Sequence, residues 1–173
     1  MISLIVATTP NNGIGKDGKM LWEIGELKYD MKHFIDKTIG NIVIMGRKTY
    51  DSIGKPLPGR MNVILSRDND FNPDGCYVYD SFEALEQDIW ECSDPEEEVF
   101  VIGGGEIYKH FFPYADRVYQ TIVIGDFEKP DTYFPKLEWG SDTEWMLKDM
   151  KGFSADENNK YQHHIYQYDK RNI

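Results

Sequence analysis

Two apolar stretches near the middle of the chain each deliver basic and hydroxyl-bearing residues at their ends. Ile42-Val43-Ile44-Met45 runs into Gly46-Arg47-Lys48-Thr49, and Met61-Asn62-Val63-Ile64-Leu65 runs into Ser66-Arg67. Both stretches have strand length and a β-branched composition. In open α/β sheets ligands bind beyond the carboxyl ends of strands, so Arg47, Lys48, Thr49, Ser66 and Arg67 fall on a ligand-facing rim. Between the stretches a short helical turn through Ser52 and Ile53 gives way to Lys55-Pro56-Leu57-Pro58-Gly59-Arg60, a stiff loop ending on another cation. Basic groups in three places imply more than one anionic group to bind. Asp30 is the carboxylate best placed for chemistry. It lies at the edge of a helical stripe made by Leu27, Met31 and Phe34, where an exposed helix acid is the competing reading.

Two glycine-rich segments could also meet a ligand. Val99-Phe100-Val101-Ile102 enters Gly103-Gly104-Gly105 and then a helix, where backbone N–H groups can approach phosphate. The Rossmann G-x-G-x-x-G spacing is absent, because Glu106 takes the fourth position, and a tight turn is the bland alternative. The segment from Asn12 to Trp22 carries Gly13, Gly15 and Gly18 and ends on apolar Met20, Leu21 and Trp22. With little apolar content to anchor it, the segment is either a surface loop or a lid that excludes water on closing.

Composition restricts what these groups can do. The 173 residues make one domain, 1–173, large enough to bury a core without staples, and 40% hydrophobic with 28% charged content is that of a globular protein. Only Cys76 and Cys92 occur, with no CxxC pair or clustered histidines, which argues against a metal site or a disulfide framework and for a reducing, cytoplasmic setting. No apolar run reaches spanning length, and the amino terminus lacks a basic, apolar leader. A net charge of −11 opposes nucleic-acid binding, so phosphate must be held by a local patch. No long apolar stripe is left exposed, which favours a monomer.

Strand and helix patterns alternate along the chain. Strands are expected at Ile2 to Ala7, Asn41 to Met45, Met61 to Leu65, Tyr77 to Tyr79, Val99 to Ile102 and Val118 to Ile124, with Thr8 to Lys19 a loop. Helices are expected at Glu26 to Lys37, Lys48 to Ile53, from an N-cap at Asp80 or Ser81 to Ile89, and from the glycine run to Phe112. Trp145 to Lys148 and Tyr161 to Tyr168 suit antiparallel strands, and Asp94 to Glu98 a solvated loop. The order implies an α/β fold: a mostly parallel central sheet of about eight strands, an antiparallel C-terminal hairpin and about four flanking helices.

Taken in order, the motifs resemble dihydrofolate reductase of the bacterial type over nearly the whole chain. The likeness rests on the strand ending at Ala7, Gly13-Ile14-Gly15, Met20-Leu21-Trp22, Asp30, the full Ile42 to Arg67 stretch, Val101 to Gly105 with Ile107-Tyr108, Tyr119-Gln120-Thr121 and Asp131 to Pro135. The resemblance implies NADPH-dependent reduction of 7,8-dihydrofolate to tetrahydrofolate for one-carbon and thymidylate metabolism, and antifolates as inhibitors. It places the cofactor along Gly46, Arg47, Lys48, Thr49, Leu65, Ser66, Arg67 and the run Ile102, Gly103, Gly104, Gly105, Glu106, Ile107 and Tyr108. Arg47 and Arg67 would face the 2′-phosphate, and Ala7, Ile14, Gly15 and Met20 the nicotinamide end. A cis peptide between Gly103 and Gly104 is part of the pattern. Substrate would contact Ile5, Ala7, Met31, Phe34, Ser52, Ile53, Leu57, Ile102 and Tyr108, with Arg60 on the glutamate carboxylate. Asp30 and Thr121 would hold the pterin, and Met20 and Trp22 would complete the catalytic set.

The chain departs from the family pattern in places. Trp22 and Asp30 are about three residues further apart than is usual, which leaves Glu26 as a rival acid, although the register to Thr38 and Met45 favours Asp30. Leu21 replaces the customary proline, and the match loosens after about Leu137. Two other readings stand beside the first: a related reductase of a ribosylated aminopyrimidine in riboflavin synthesis, and a silent dinucleotide-binding module.

Overall fold

The computed structural model describes residues 1–92 and 97–171. Most of the acidic run expected as a loop, Asp94 to Glu98, therefore lies outside the described residues. In chain order the elements are β1 (Ile2–Thr8), β2 (Gly13–Gly15), α1 (Lys28–Thr38), β3 (Ile42–Gly46), α2 (Arg47–Ile53), β4 (Met61–Leu65), β5 (Cys76–Tyr79), α3 (Phe82–Cys92), β6 (Val99–Gly103), α4 (Gly105–Phe111), β7 (Arg117–Ile124), β8 (Thr132–Tyr133), β9 (Trp145–Phe153) and β10 (Gln162–Lys170). One sheet runs β5-β4-β3-β6-β1-β7-β10-β9, parallel as far as β7 and antiparallel for β10 and β9. This is the expected architecture.

Alternation along the strands divides the core between two faces. Ile42, Ile44, Val63, Val99 and Val101 join one cluster with Ile107, Tyr108 and Phe111 of α4. Val43, Met45, Ile64 and Phe100 join another, against which Phe34 of α1 and Ile53 and Leu57 pack. Helices cover both faces of a parallel sheet, so its strands read as continuous apolar runs. Loops at the carboxyl ends of β1, β3, β4 and β6 therefore share one rim.

Three boundaries differ from the sequence expectation. Helix α1 starts at Lys28 rather than Glu26, because the Glu26 carbonyl accepts the Lys160 N–H at 2.8 Å and Leu27 forms an extended bridge with Asn159. The loop expected over Thr8 to Lys19 contains β2, which pairs with β8 in a small separate sheet. Strand β9 continues to Phe153, well past Lys148. It forms the sheet edge, and its outer half is polar and exposed, so apolar alternation fades where the strand does not.

Candidate active site

Asp30 occupies the first turn of α1 and its carboxylate accepts a hydrogen bond from Thr121 on β7. Thr121 pairs with Ala7 of β1 and Ile165 of β10, so the hydroxyl is fixed by the sheet rather than by a loop. Loss of water around Asp30 raises its pKa above the ordinary carboxylate value, offset in part by Thr121 and by the nearby His163. Tyr108, buried on α4, donates from its hydroxyl to the Ile5 carbonyl at 2.7 Å, and burial followed by the Asp30 charge pushes its pKa upward. Glu26 has another environment. It pairs with Lys160, its second oxygen accepts the Glu23 N–H at 3.0 Å, and these contacts lower its pKa.

An apolar wall leads away from Asp30. Phe34, Ile53, Leu57 and Ile102 pack on the cluster that includes Ile5, while Met31 is half-buried on the same helix. Arg60 stands at the end of this wall. Its Nε donates to the Pro58 carbonyl and its Nη1 to Thr38 Oγ1, both at 3.0 Å, and its guanidinium lies 5.8 Å from the Phe34 ring centroid. Those contacts fix the plane of a fork suited to bidentate carboxylate binding. Burial lowers the Arg60 pKa from its ordinary value.

The rim beyond β3 and β4 carries Arg47, Lys48, Thr49, Ser66 and Arg67 as expected of its topology. Arg47 is engaged there: it pairs with Asp68, lies 3.5 Å from Asp51 and sits 4.5 Å from the Phe71 ring. A cleft of about 450 Å³ opens beside it, lined by Ser66, Asp68, Asn69, Phe71, Asn72, Val78, Tyr79 and Asp80. Across the rim the Gly103–Gly104 peptide is cis. A β-carbon on Gly103, whose φ is +115°, would meet the Tyr108 ring at 3.0 Å, and one on Gly105 would meet Thr132 at 2.7 Å. Glycine at these positions is what lets the backbone lie so close to Tyr108 and Thr132. Leu65 and Ile107 turn into the core, with Ile107 beneath Gly46, while Glu106 is exposed.

The segment from β2 to α1 borders a second cleft. Trp22 is buried and packs on Phe127 at 5.4 Å, whereas Met20 remains 45% exposed. Met20, Leu21, Trp22 and Ile24 face Ser52, Lys160 and Tyr161 across a cleft of about 480 Å³. Lys16 pairs with Glu128 at 2.6 Å, and Asp131 accepts the Asp17 N–H at 2.8 Å, while its own N–H donates to the Gly15 carbonyl. Ile14 and Gly15 are thereby held against β8, and the exposed stretch begins after them.

Residues 1–170 match the family model described as dihydrofolate reductase. The chain belongs to the dihydrofolate reductase family. It is 43% identical over 159 residues to dihydrofolate reductase of Haemophilus influenzae, covering 92% of each chain. With that of Bacillus subtilis the identity is 41% over 172 residues, covering 99% of this chain and 96% of the relative. Among solved structures, dihydrofolate reductase from Enterococcus faecalis, complexed with NADP(H) and RAB-propyl, superposes with a TM-score of 0.85 at 31% identity, covering 99% of this chain and 97% of that one.

Sequence reasoning missed several groups that surround the family site. Asn159 and His163 reach α1 from the C-terminal hairpin, Lys160 pairs with Glu26 just before that helix, and Asp68 engages Arg47. Asn159 had no signal in the sequence, because the helix start at Leu27, which lacks a side-chain cap, is set only by the fold. Among the described residues no helix is long and apolar enough to cross a membrane, and no cluster of His, Cys, Asp and Glu could hold a metal.

Proposed function

We propose that this chain reduces 7,8-dihydrofolate to 5,6,7,8-tetrahydrofolate with NADPH, as a cytoplasmic monomer serving one-carbon metabolism, and is inhibited by antifolates. The observation that carries this reading is the pairing of Asp30 and Thr121 at one end of an apolar wall with Arg60 at the other. Such a site suits a flat heteroaromatic head with a cationic or amidine-like edge and a carboxylate tail. Asp30 binds the pterin 2-amino group and N3, assisted by Thr121, and its charge favours a proton on N5. Met31, Phe34, Ile53 and Leu57 hold the aromatic parts, and Arg60 forks onto the glutamate α-carboxylate.

The residues present fit a phosphorylated dinucleotide. Exposed or half-buried Arg47, Lys48 and Arg67 supply local positive charge in a chain of net charge −11, and side-chain-free Gly103 to Gly105 leave backbone open to pyrophosphate. NADPH supplies the hydride delivered from nicotinamide C4 to pterin C6. Ala7 and Ile14 border the nicotinamide end, and Met20 closes over it to exclude water. The protein's share is position, dryness and a field that holds the proton at N5.

Mixing the protein with NADPH and dihydrofolate and following nicotinamide absorbance tests the proposal. Oxidation of NADPH that requires dihydrofolate is expected. Oxidation with a ribosylated aminopyrimidine instead, or none with either, overturns it.

A further inference from the structure

The helix that carries Asp30 does not cap itself. Its N-cap residue, Leu27, is extended (φ −130°, ψ 81°) and offers no side-chain acceptor. The first N–H groups of a helix need partners, and here they find them in the loop between β9 and β10. Lys28 N–H donates to the Asn158 carbonyl and Tyr29 N–H to Asn159 Oδ1, each at 3.1 Å. Asn159 has no exposed surface, and its Nδ2 donates to Asp156 Oδ1 at 2.8 Å. Backbone bonds between Asp156 and Asn159 close the same turn, so the amide is aimed before α1 meets it. The contact is reinforced on both sides. Lys160 N–H donates to the Glu26 carbonyl at 2.8 Å, and the Tyr29 ring stacks on Phe153 at 4.9 Å, which stacks on His163 at 5.0 Å.

Resting on the reading of Asp30 above, we infer that Asn159 is a positioning residue for catalysis: by capping α1 from the C-terminal hairpin it fixes the first helical turn, and with it the Asp30 carboxylate. Asp30 follows Tyr29 directly, so a frayed first turn displaces it from Thr121 and from the substrate. A misplacement of about 1 Å costs on the order of 10²-fold in rate. A cap with a merely structural role would lower stability and leave the chemistry of the folded molecules untouched. The titratable groups nearest Asp30 from the elements packed around it are Tyr108 of α4 and His163 of β10, and Asp156 faces Asn159 itself. Asn159→Ala leaves Tyr108 and His163 themselves unchanged, but it removes the hydrogen bond that does most to lower the pKa of Asp156, and the exchange variant controls for that loss.

The test compares Asn159→Ala with the exchange Asn159→Asp/Asp156→Asn. The exchange keeps an oxygen toward Tyr29 and an N–H between the two side chains. Single-turnover hydride transfer is measured across pH, well below each protein's Tm, together with NADPH affinity and with Asp30→Asn in parallel. In Asn159→Ala the neutral-pH rate should fall about tenfold or more and the pH profile should shift, with NADPH affinity within about twofold of the parent. The exchange should recover at least about a third of the parental rate. A folded Asn159→Ala protein with a parental rate and a superimposable profile overturns the inference. So does a folded exchange variant as slow as Asn159→Ala or, where Asn159→Ala does not fold, an exchange variant without turnover. Full activity in Asp30→Asn overturns the reading of the site as well, which separates the two failures.

Discussion

Asp30 and Glu26 lie about one helical turn apart in the sequence, yet their surroundings move their pKa values in opposite directions. Asp30 is desolvated beside Thr121, and Glu26 is committed to Lys160. Asp30→Asn should therefore keep the fold and NADPH binding but lose about 10²–10⁴ of neutral-pH turnover, recovering partly at low pH, where solution supplies the proton. Glu26→Gln should retain at least about a tenth of the activity, a barrier change below about 1.4 kcal/mol. Steady-state kinetics on the two variants decide between them, and a dead Glu26→Gln beside an active Asp30→Asn reverses the assignment. Arg60→Lys should raise the Michaelis constant for dihydrofolate more than it lowers kcat, because the remote fork contributes binding. A substrate lacking the glutamate should not register the change, and if it does, Arg60 is structural. On the cofactor side, charge-assisted contacts are worth roughly 1.5–3 kcal/mol each, so Arg47→Ala with Arg67→Ala should raise the NADPH Michaelis constant well above tenfold. Asp68→Asn should act in reverse. If Arg47 binds the 2′-phosphate as proposed, its pairing with Asp68 opposes that contact, and removal of Asp68 should tighten NADPH and leave NADH unchanged.

Elements differ in how openly the sequence announces them. Strands β3, β4 and β6 are buried on both faces, so their apolar runs appear almost whole, and the basic rim follows from their ends. Helix α1 is visible from its stripe but not in its start, because what stops it is the pairing of Glu26 and Leu27 with residues far along the chain. The outer half of β9 has no apolar face to reveal it. The same distinction runs through the site. Asp30, Arg60 and the glycine run stand in local patterns that single them out without deciding their roles, whereas Asn159, His163 and Asp68 show themselves only through contacts made in three dimensions. Resemblance to the family carried the roles that spacing alone left open. The segment after β2 illustrates a stretch held at one end. Asp131 ties Gly15 and Asp17, and the stretch from Lys16 to Met20 is largely exposed. Asp131→Ala should speed tryptic cleavage at Lys16 and Lys19, read by mass spectrometry of the fragments. Unchanged cleavage would show that β2 and β8 hold the segment without the Asp131 side chain.

Stability of the folded chain should carry a signature of His33. Its Nε2 is buried without a hydrogen-bond partner, its ring meets Tyr119 edge-on at 5.5 Å, and burial, with Lys37 and Lys151 adding to it, lowers its pKa from the usual 6.5 to about 4. Below pH 6.5 the unfolded chain therefore binds a proton that the folded one refuses, and stability falls as pH drops through that window toward 4. His33→Phe removes this dependence. The Tm difference between variant and parent should be flat above pH 7 and move in the variant's favour on acidification, and parallel curves would exclude the mechanism. The β9–β10 hairpin has a consequence of another kind, for the order in which the protein is made. A ribosome releases β1, β3, β4 and β6 before the hairpin, and their ends supply the rim. The residues that cap α1 and the strand beside Thr121 emerge last. A nascent chain can thus expose its basic rim before the cap on α1 exists, and a chain cut short before Asn159 lacks both that cap and the strand beside Thr121. On the role proposed for Asp30, translation itself is a safety catch, withholding the seated carboxylate until synthesis has passed the hairpin.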